Sequence, residues 1–250
     1  MATPAREVVQ QDILIHYLIS MARAVEGAAN RSIDALLGLG DPRTEEFTGK
    51  IFLQEPRINE MEMLIDEHAG RALREKAIAE DDIRLVVATL KITNDLERMG
   101  DLAVNLAESV ISLRQMLPVS TPAELAPMGA AVRAMVSRAL GALIFRNVVL
   151  ATQVLESDDV VDQYRDQAFE RLLAGTTENA GHVAPNLQFL LATRHLERIA
   201  DHATNVAEDI IFWVRGLDVR HGRGLAAASP PSENVTGNSN SSNTALTRGS

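Results

Sequence analysis

Residues 90–108 read LKITNDLERMGDLAVNLAE and residues 190–208 read LLATRHLERIADHATNVAE, with ten of the nineteen aligned positions identical. A repeat constrains architecture before any residue is given a role, and solenoid units recur at roughly 20–50 residues. This period is too long for one. It demands two similar halves, each carrying one copy of the segment.

The punctuation of the chain agrees. Thr3-Pro4 forms a helix entry, and the helix should run to about Leu37, where Gly38 and Gly40 stop it. Asp41-Pro42 repeats the entry for a second helix reaching about Ala77, with a kink or a fresh start near Gln54–Arg57 at Pro56. A third spans about Asp81–Met116. Three prolines in 117–127 mark the boundary, and Thr121-Pro122-Ala123-Glu124 reads as a capping box opening a fourth helix to about Leu155. A fifth covers about Ser157–Leu173, Gly175–Pro185 reads as a loop, and a sixth covers about Asn186–Arg215, closed by Gly216. No segment shows the period-2 alternation of a strand. The fold class is therefore all-α: two tandem antiparallel three-helix bundles related by the repeat, residues 1–117 and 118–224. Residues 225–250 lack the apolar content to offset ordering entropy and should be a disordered tail.

Composition narrows function by exclusion. The chain has no cysteine, so any metal must sit on oxygen or imidazole ligands. A net charge of −10 argues against nucleic-acid binding. No apolar run approaches the roughly 18–20 residues of a membrane span, and the N-terminus does not read as a secretory signal. A soluble cytoplasmic protein without direct membrane insertion is expected. Phosphate-cradling glycine loops, GxSxG and HExxH are all missing from the sequence.

The repeated segment carries a polar stripe. With Glu97 at zero, Glu108, Asp101 and Asn105 fall at about 20°, 40° and 80° around the helix. Met99, Leu102, Ala103, Leu106, Ala107 and Val110 take the opposite arc and should face the core. Glu197, Asp201, Asn205 and Glu208 repeat the pattern. A solvated face needs polarity but not particular residues, so recurrence at four positions favours chemistry or geometry that requires these groups. Upstream stand Glu55-xxx-Asn59 with Glu62, and Asp158-xxx-Asp162 with Asp159. In a bundle these run beside the stripes, and such oxygen sets suit Mg²⁺, Mn²⁺, iron or Zn²⁺. Asp158 and Asp159 also read as carboxylates complementing a helix dipole.

With both LERxxDxxxN segments in register with their upstream partners, the chain resembles the PhoU family over about residues 5–222. The markers are Glu55-xxx-Asn59, Leu96-Glu97-Arg98-xx-Asp101-xxx-Asn105, Asp158-xx-Val161-Asp162 and Leu196-Glu197-Arg198-xx-Asp201-xxx-Asn205. The resemblance implies iron or zinc held in two sites. One would use Asp158, Asp162, Glu197 and Asp201 beside Asn205; the other Glu55, Asn59, Glu97 and Asp101 beside Asn105. Glu55 stands where Asp is more usual, Lys76-Ala77 replaces a common Gln-Pro, and the amide of Asn59 lowers the charge of the first site. The implied role is a non-enzymatic accessory regulator of phosphate uptake. It would restrain the phosphate-specific transporter and the starvation response through the transporter's ATP-binding subunit and a sensor histidine kinase, as a homodimer.

Two other readings stand beside it. A carboxylate-bridged di-metal oxidase would require Glu-xx-His on two helices, and no Glu has His three residues later. A metal-free helical scaffold is the other. His202 lies some 100° from Asp201 and reads as a packing or satisfied histidine. Arg198 is expected to pair with Glu197 or Asp201, and Ile210, Ile211, Phe212, Trp213 and Val214 to join the core.

Overall fold

The helices begin and end largely where cap chemistry places them. The computed structural model describes residues 4–74, 80–116, 120–178 and 180–220. In order they are α1 Pro4–Leu37, α2 Thr44–Ala72, α3 Glu80–Arg114, α4 Leu125–Phe145, α5 Val148–Leu155, α6 Asp158–Glu178 and α7 Val183–Arg215, the last preceded by a 3-10 turn at Ala180–His182. No strand occurs among the described residues. Thr3, Lys76-Ala77, the 117/118 boundary and the tail from 225 onward lie outside them.

Asp41 caps the entry to α2: its Oδ1 accepts from the Arg43 N–H at 2.8 Å, with Pro42 at the position where no N–H is needed. The Arg43 guanidinium holds the Asp41 carboxyl down at about 2. Pro56 does not divide α2. Beside it, Gln54 clamps the helix to α1, its Nε2 donating to the Ala24 carbonyl at 2.8 Å and its Oε1 accepting from Arg31. At the far end of the chain Gly216 terminates α7 at φ 68°, donating to the Phe212 carbonyl at 2.8 Å.

Three expected features are corrected. The helix expected to reach Leu155 is broken after Phe145. Arg146 turns left-handed at φ 49°, and the Asn147 side chain then caps α5 by accepting from the N–H groups of Val149 and Leu150. The unfavourable Arg146 backbone is offset where its guanidinium lies 4.8 Å over the Trp213 ring. The expected capping box at α4 does not form either. Glu124 accepts from Arg171 at 3.0 Å instead of reaching back to Thr121, and the first turn closes through the Leu125 N–H on the Pro122 carbonyl. The loop expected at 175–185 is also shorter, because α6 continues to Glu178.

The first half packs α1, α2 and α3 around one another; the second packs α4, α6 and α7, with α5 against α4 and α7. The halves join through extensive packing of α3 on α7 and through α1 on α4. Met99, Leu102, Leu106 and Val110 from α3 and Leu196, Ile199, Ala203, Val206, Ile210 and Ile211 from α7 belong to one continuous apolar core with Leu14, Met21 and Met135. The two bundles thus share one apolar core. α4, though long and apolar enough to span a bilayer, buries Met128, Val132, Met135 and Leu143 in this core.

Candidate carboxylate clusters

The face of α3 opposite the core carries Glu97, Asp101, Asn105 and Glu108, and the same face of α7 carries Glu197, Asp201, Asn205 and Glu208. The helices beside them, α2 and α6, supply the remaining groups.

In the second half four carboxylates gather. Asp158 is raised above the usual range by burial, then by the charges of Asp162, Asp159 and Glu197, and lowered by Thr204, whose Oγ1 donates to it at 3.3 Å. Asp201 is raised by desolvation and by Glu197, Asp158 and Asp162. Glu197 itself is buried. Into this group projects Arg165 from α6. Its Nη1 donates to Asp162 Oδ1 at 2.8 Å and to Glu197 Oε1 at 2.7 Å, while Nε and Nη2 engage Asp166. Arg194 Nη1 donates to Glu197 Oε1 at 2.8 Å and lies 2.7 Å from Oε2. Glu197 is therefore held by Arg165 and Arg194, the role expected of Arg198.

In the first half the group differs. Glu97 is raised by burial, then by Asp101 and Glu62, with Arg98 acting the other way. Glu62 is raised by burial, then by Asp66 and Asp101, again against Arg98. Arg98 lies 3.3 Å from Glu97 Oε2 and 3.5 Å from Asp101 Oδ2. Glu55 and Asn59 bond to each other, the amide donating at 2.7 Å. Thus Glu62, with Asp66 a turn beyond, confronts the stripe. Glu62-xxx-Asp66 has the same acid-xxx-acid spacing as Asp158-xxx-Asp162; sequence reasoning named Glu62 without Asp66 and overlooked Arg165.

The asparagines part ways. Asn205 Nδ2 donates to Asp95 Oδ1 at 3.1 Å, and His202 Nδ1 lies 2.7 Å from the same oxygen. Both α7 residues are tied across to α3, and His202 is the satisfied histidine expected. Lys91 on α3 bonds Asp209 on α7 in the same seam. In α3 the Asn105 carbonyl accepts from Ser109.

Among the described residues, no three His, Asp or Glu side chains are disposed around a common point as metal ligands. The donor sets answer the question of fit differently. Glu62, Glu97 and Asp101 repel one another with Arg98 as their flanking charge, a set that a cation would relieve. Asp162 and Glu197 already share a guanidinium, so the second set as arranged does not fit a metal ion.

The PhoU domain family model covers residues 18–110 and 125–210, one copy on each half. The phosphate-specific transport system accessory protein PhoU homolog of Pseudomonas aeruginosa is 35% identical over 214 residues, covering 84% of this chain and 86% of that one. Its namesake in Pseudomonas putida is 32% identical over 235 residues, covering 89% and 90%. The crystal structure of PhoU from Pseudomonas aeruginosa superposes with a TM-score of 0.78 at 31% identity, covering 84% of this chain and 99% of that one.

Proposed function

The chain belongs to the PhoU family, and from that premise we propose that it negatively regulates phosphate uptake from the cytoplasm. In this reading it restrains the phosphate-specific ABC transporter when phosphate is plentiful and keeps the starvation two-component response off, as a non-catalytic homodimer. Its partners are the transporter's ATP-binding subunit and the sensor histidine kinase. The observation that carries the reading is the double domain match, one copy on each half of the repeat and across most of the described residues.

A carboxylate-bound cation belongs to the same reading at the first cluster, where Glu62, Glu97 and Asp101 would hold it and Glu55 and Asn59 lie along the same face of α2. Iron or zinc follows from the resemblance, Mg²⁺ or Mn²⁺ from ligand hardness. The cation would fix α2 against α3 by neutralising repulsion between them.

The test is a starvation-gene reporter in the source organism at high phosphate, in a strain with a single copy of this gene. Deletion should switch the reporter on and restoration should switch it off. A reporter silent after deletion would refute the regulatory assignment, whatever the metal content of the protein.

A further inference from the structure

The two clusters occupy equivalent places but differ in the charges that surround them. Aligning Asp158 and Asp162 of α6 with Glu55 and Asn59 of α2 sets Arg165 opposite Glu62, and the hundred-residue repeat sets Arg194 opposite Asn94. The cations that reach Glu197 in the second half are thus replaced in the first by an acid and an amide. We propose that Arg165 is a built-in counter-ion that fills the second carboxylate cluster, so that this half takes up no divalent cation while Arg165 is in place.

The geometry is specific. Arg165 stands seven residues after Asp158 and three after Asp162, which returns it to their face of α6. Its guanidinium spans Asp162, Asp166 and Glu197 at 2.7–3.0 Å, and one nitrogen alone bridges the carboxylates of α6 and α7. A metal joining Asp162 to Glu197 would have to take the place this nitrogen now holds between the two carboxylates. Charge-assisted, multiply bonded arginine contacts are among the stronger polar interactions available to a folded chain. A divalent ion would have to displace that network while leaving a guanidinium beside it. In the first half Arg98 contacts Glu97 and Asp101 only at 3.3 and 3.5 Å, and from their own helix, so α2 and α3 are not bridged in this way.

The experiment uses the full chain, stripped with chelator, dialysed separately against Mn²⁺ and Zn²⁺, and assayed for bound metal by mass spectrometry. Glu197→Gln should leave the metal content of the otherwise native protein unchanged. Arg165→Gln should gain a further ion per chain, and Arg165→Gln/Glu197→Gln should lose it again. Metal that falls on Glu197→Gln alone would overturn the proposal, as would an Arg165→Gln chain that gains none. If Arg165→Gln lowers helical content, Arg165→Met and the single Glu197→Gln comparison carry the test. The proposal is independent of the regulatory reading and of occupancy at the first cluster, since each gain is counted from the parent's own metal content.

Discussion

At the residue scale, the seam between α3 and α7 contains a pair whose members are unequally exposed. Asp209 is buried, whereas Lys91 is part-exposed, with 37% of its side chain accessible. Burial raises the Asp209 carboxyl, and the Lys91 bond opposes that rise. Removing Asp209 lets the ammonium turn to water, and Asp209→Ala should cost about 1 kcal/mol or less. Lys91→Met strands the carboxylate and should cost about 2–3 kcal/mol, less than a fully enclosed pair because one end is wet. Urea unfolding of both variants checks the order. The Lys91→Met deficit should also shrink on acidification, because the stranded carboxyl is then protonated in the fold. A Lys91→Met loss equal at both pH values would sink this account. The same scale shows why the clusters were only partly readable from sequence. The stripe positions on α3 and α7 follow from helical angle alone. Which neighbour on α2 confronts them depends on how two helices slide past each other, which no spacing within one helix determines. Arg165 was hidden for a related reason: an arginine beside acids reads equally as a solvated charge until the partner helix is placed.

At the element scale, α1 and α4 cross so closely that a methyl on Gly129 would lie 2.7 Å from Ile33 Cγ2. Glycine in a helix interior otherwise costs about 1 kcal/mol relative to alanine. Overpacking a fixed contact costs about 1–3 kcal/mol, so Gly129→Ala should be net destabilising. Ile33→Ala removes the offending carbon. The double variant should therefore be more stable than the sum of the single losses by denaturant titration; strict additivity would count against the crossing. Asn147→Ala removes both side-chain bonds that start α5 and should cost about 1 kcal/mol, measured the same way. The fold was legible where proline and glycine punctuate: Asp41-Pro42 and Gly216 both mark real ends. It was illegible at Arg146–Asn147, where a non-glycine residue turns left-handed and Trp213, distant in sequence, supplies the compensation. The capping box failed for a tertiary reason as well, since Arg171 on α6 draws Glu124 away.

At the scale of the whole molecule, both halves contribute to one core, which predicts a single cooperative unfolding transition rather than two. The pH dependence of that transition follows from the carboxylates. Glu62, Glu97, Asp158, Asp201 and Asp209 are all raised, each first by burial. A carboxyl raised in the fold binds its proton more tightly there than in the unfolded chain. Stability is therefore lost as pH climbs from the ordinary carboxylate range through the raised values, and regained on descent. Asp41, Asp218 and Glu46 are lowered by Arg43, Arg220 and Lys50, so they contribute stability that disappears as pH falls below the ordinary range. His195, lowered by burial and then by Arg198, opposes the first group, because it must stay neutral in the fold as the medium acidifies. The raised carboxyls are expected to outweigh the histidine, so that the stability maximum falls on the acid side of neutrality. The chain's net charge of −10 pushes the same way through self-repulsion, and salt screens that contribution. Thermal melts at high salt isolate the clusters. Asp201→Asn should flatten the decline between mildly acid and neutral pH, whereas Glu60→Gln, on an exposed part of α2, should not. A melting temperature that rises steadily to pH 8 in the native chain would show that the paired arginines, rather than mutual repulsion, govern both clusters.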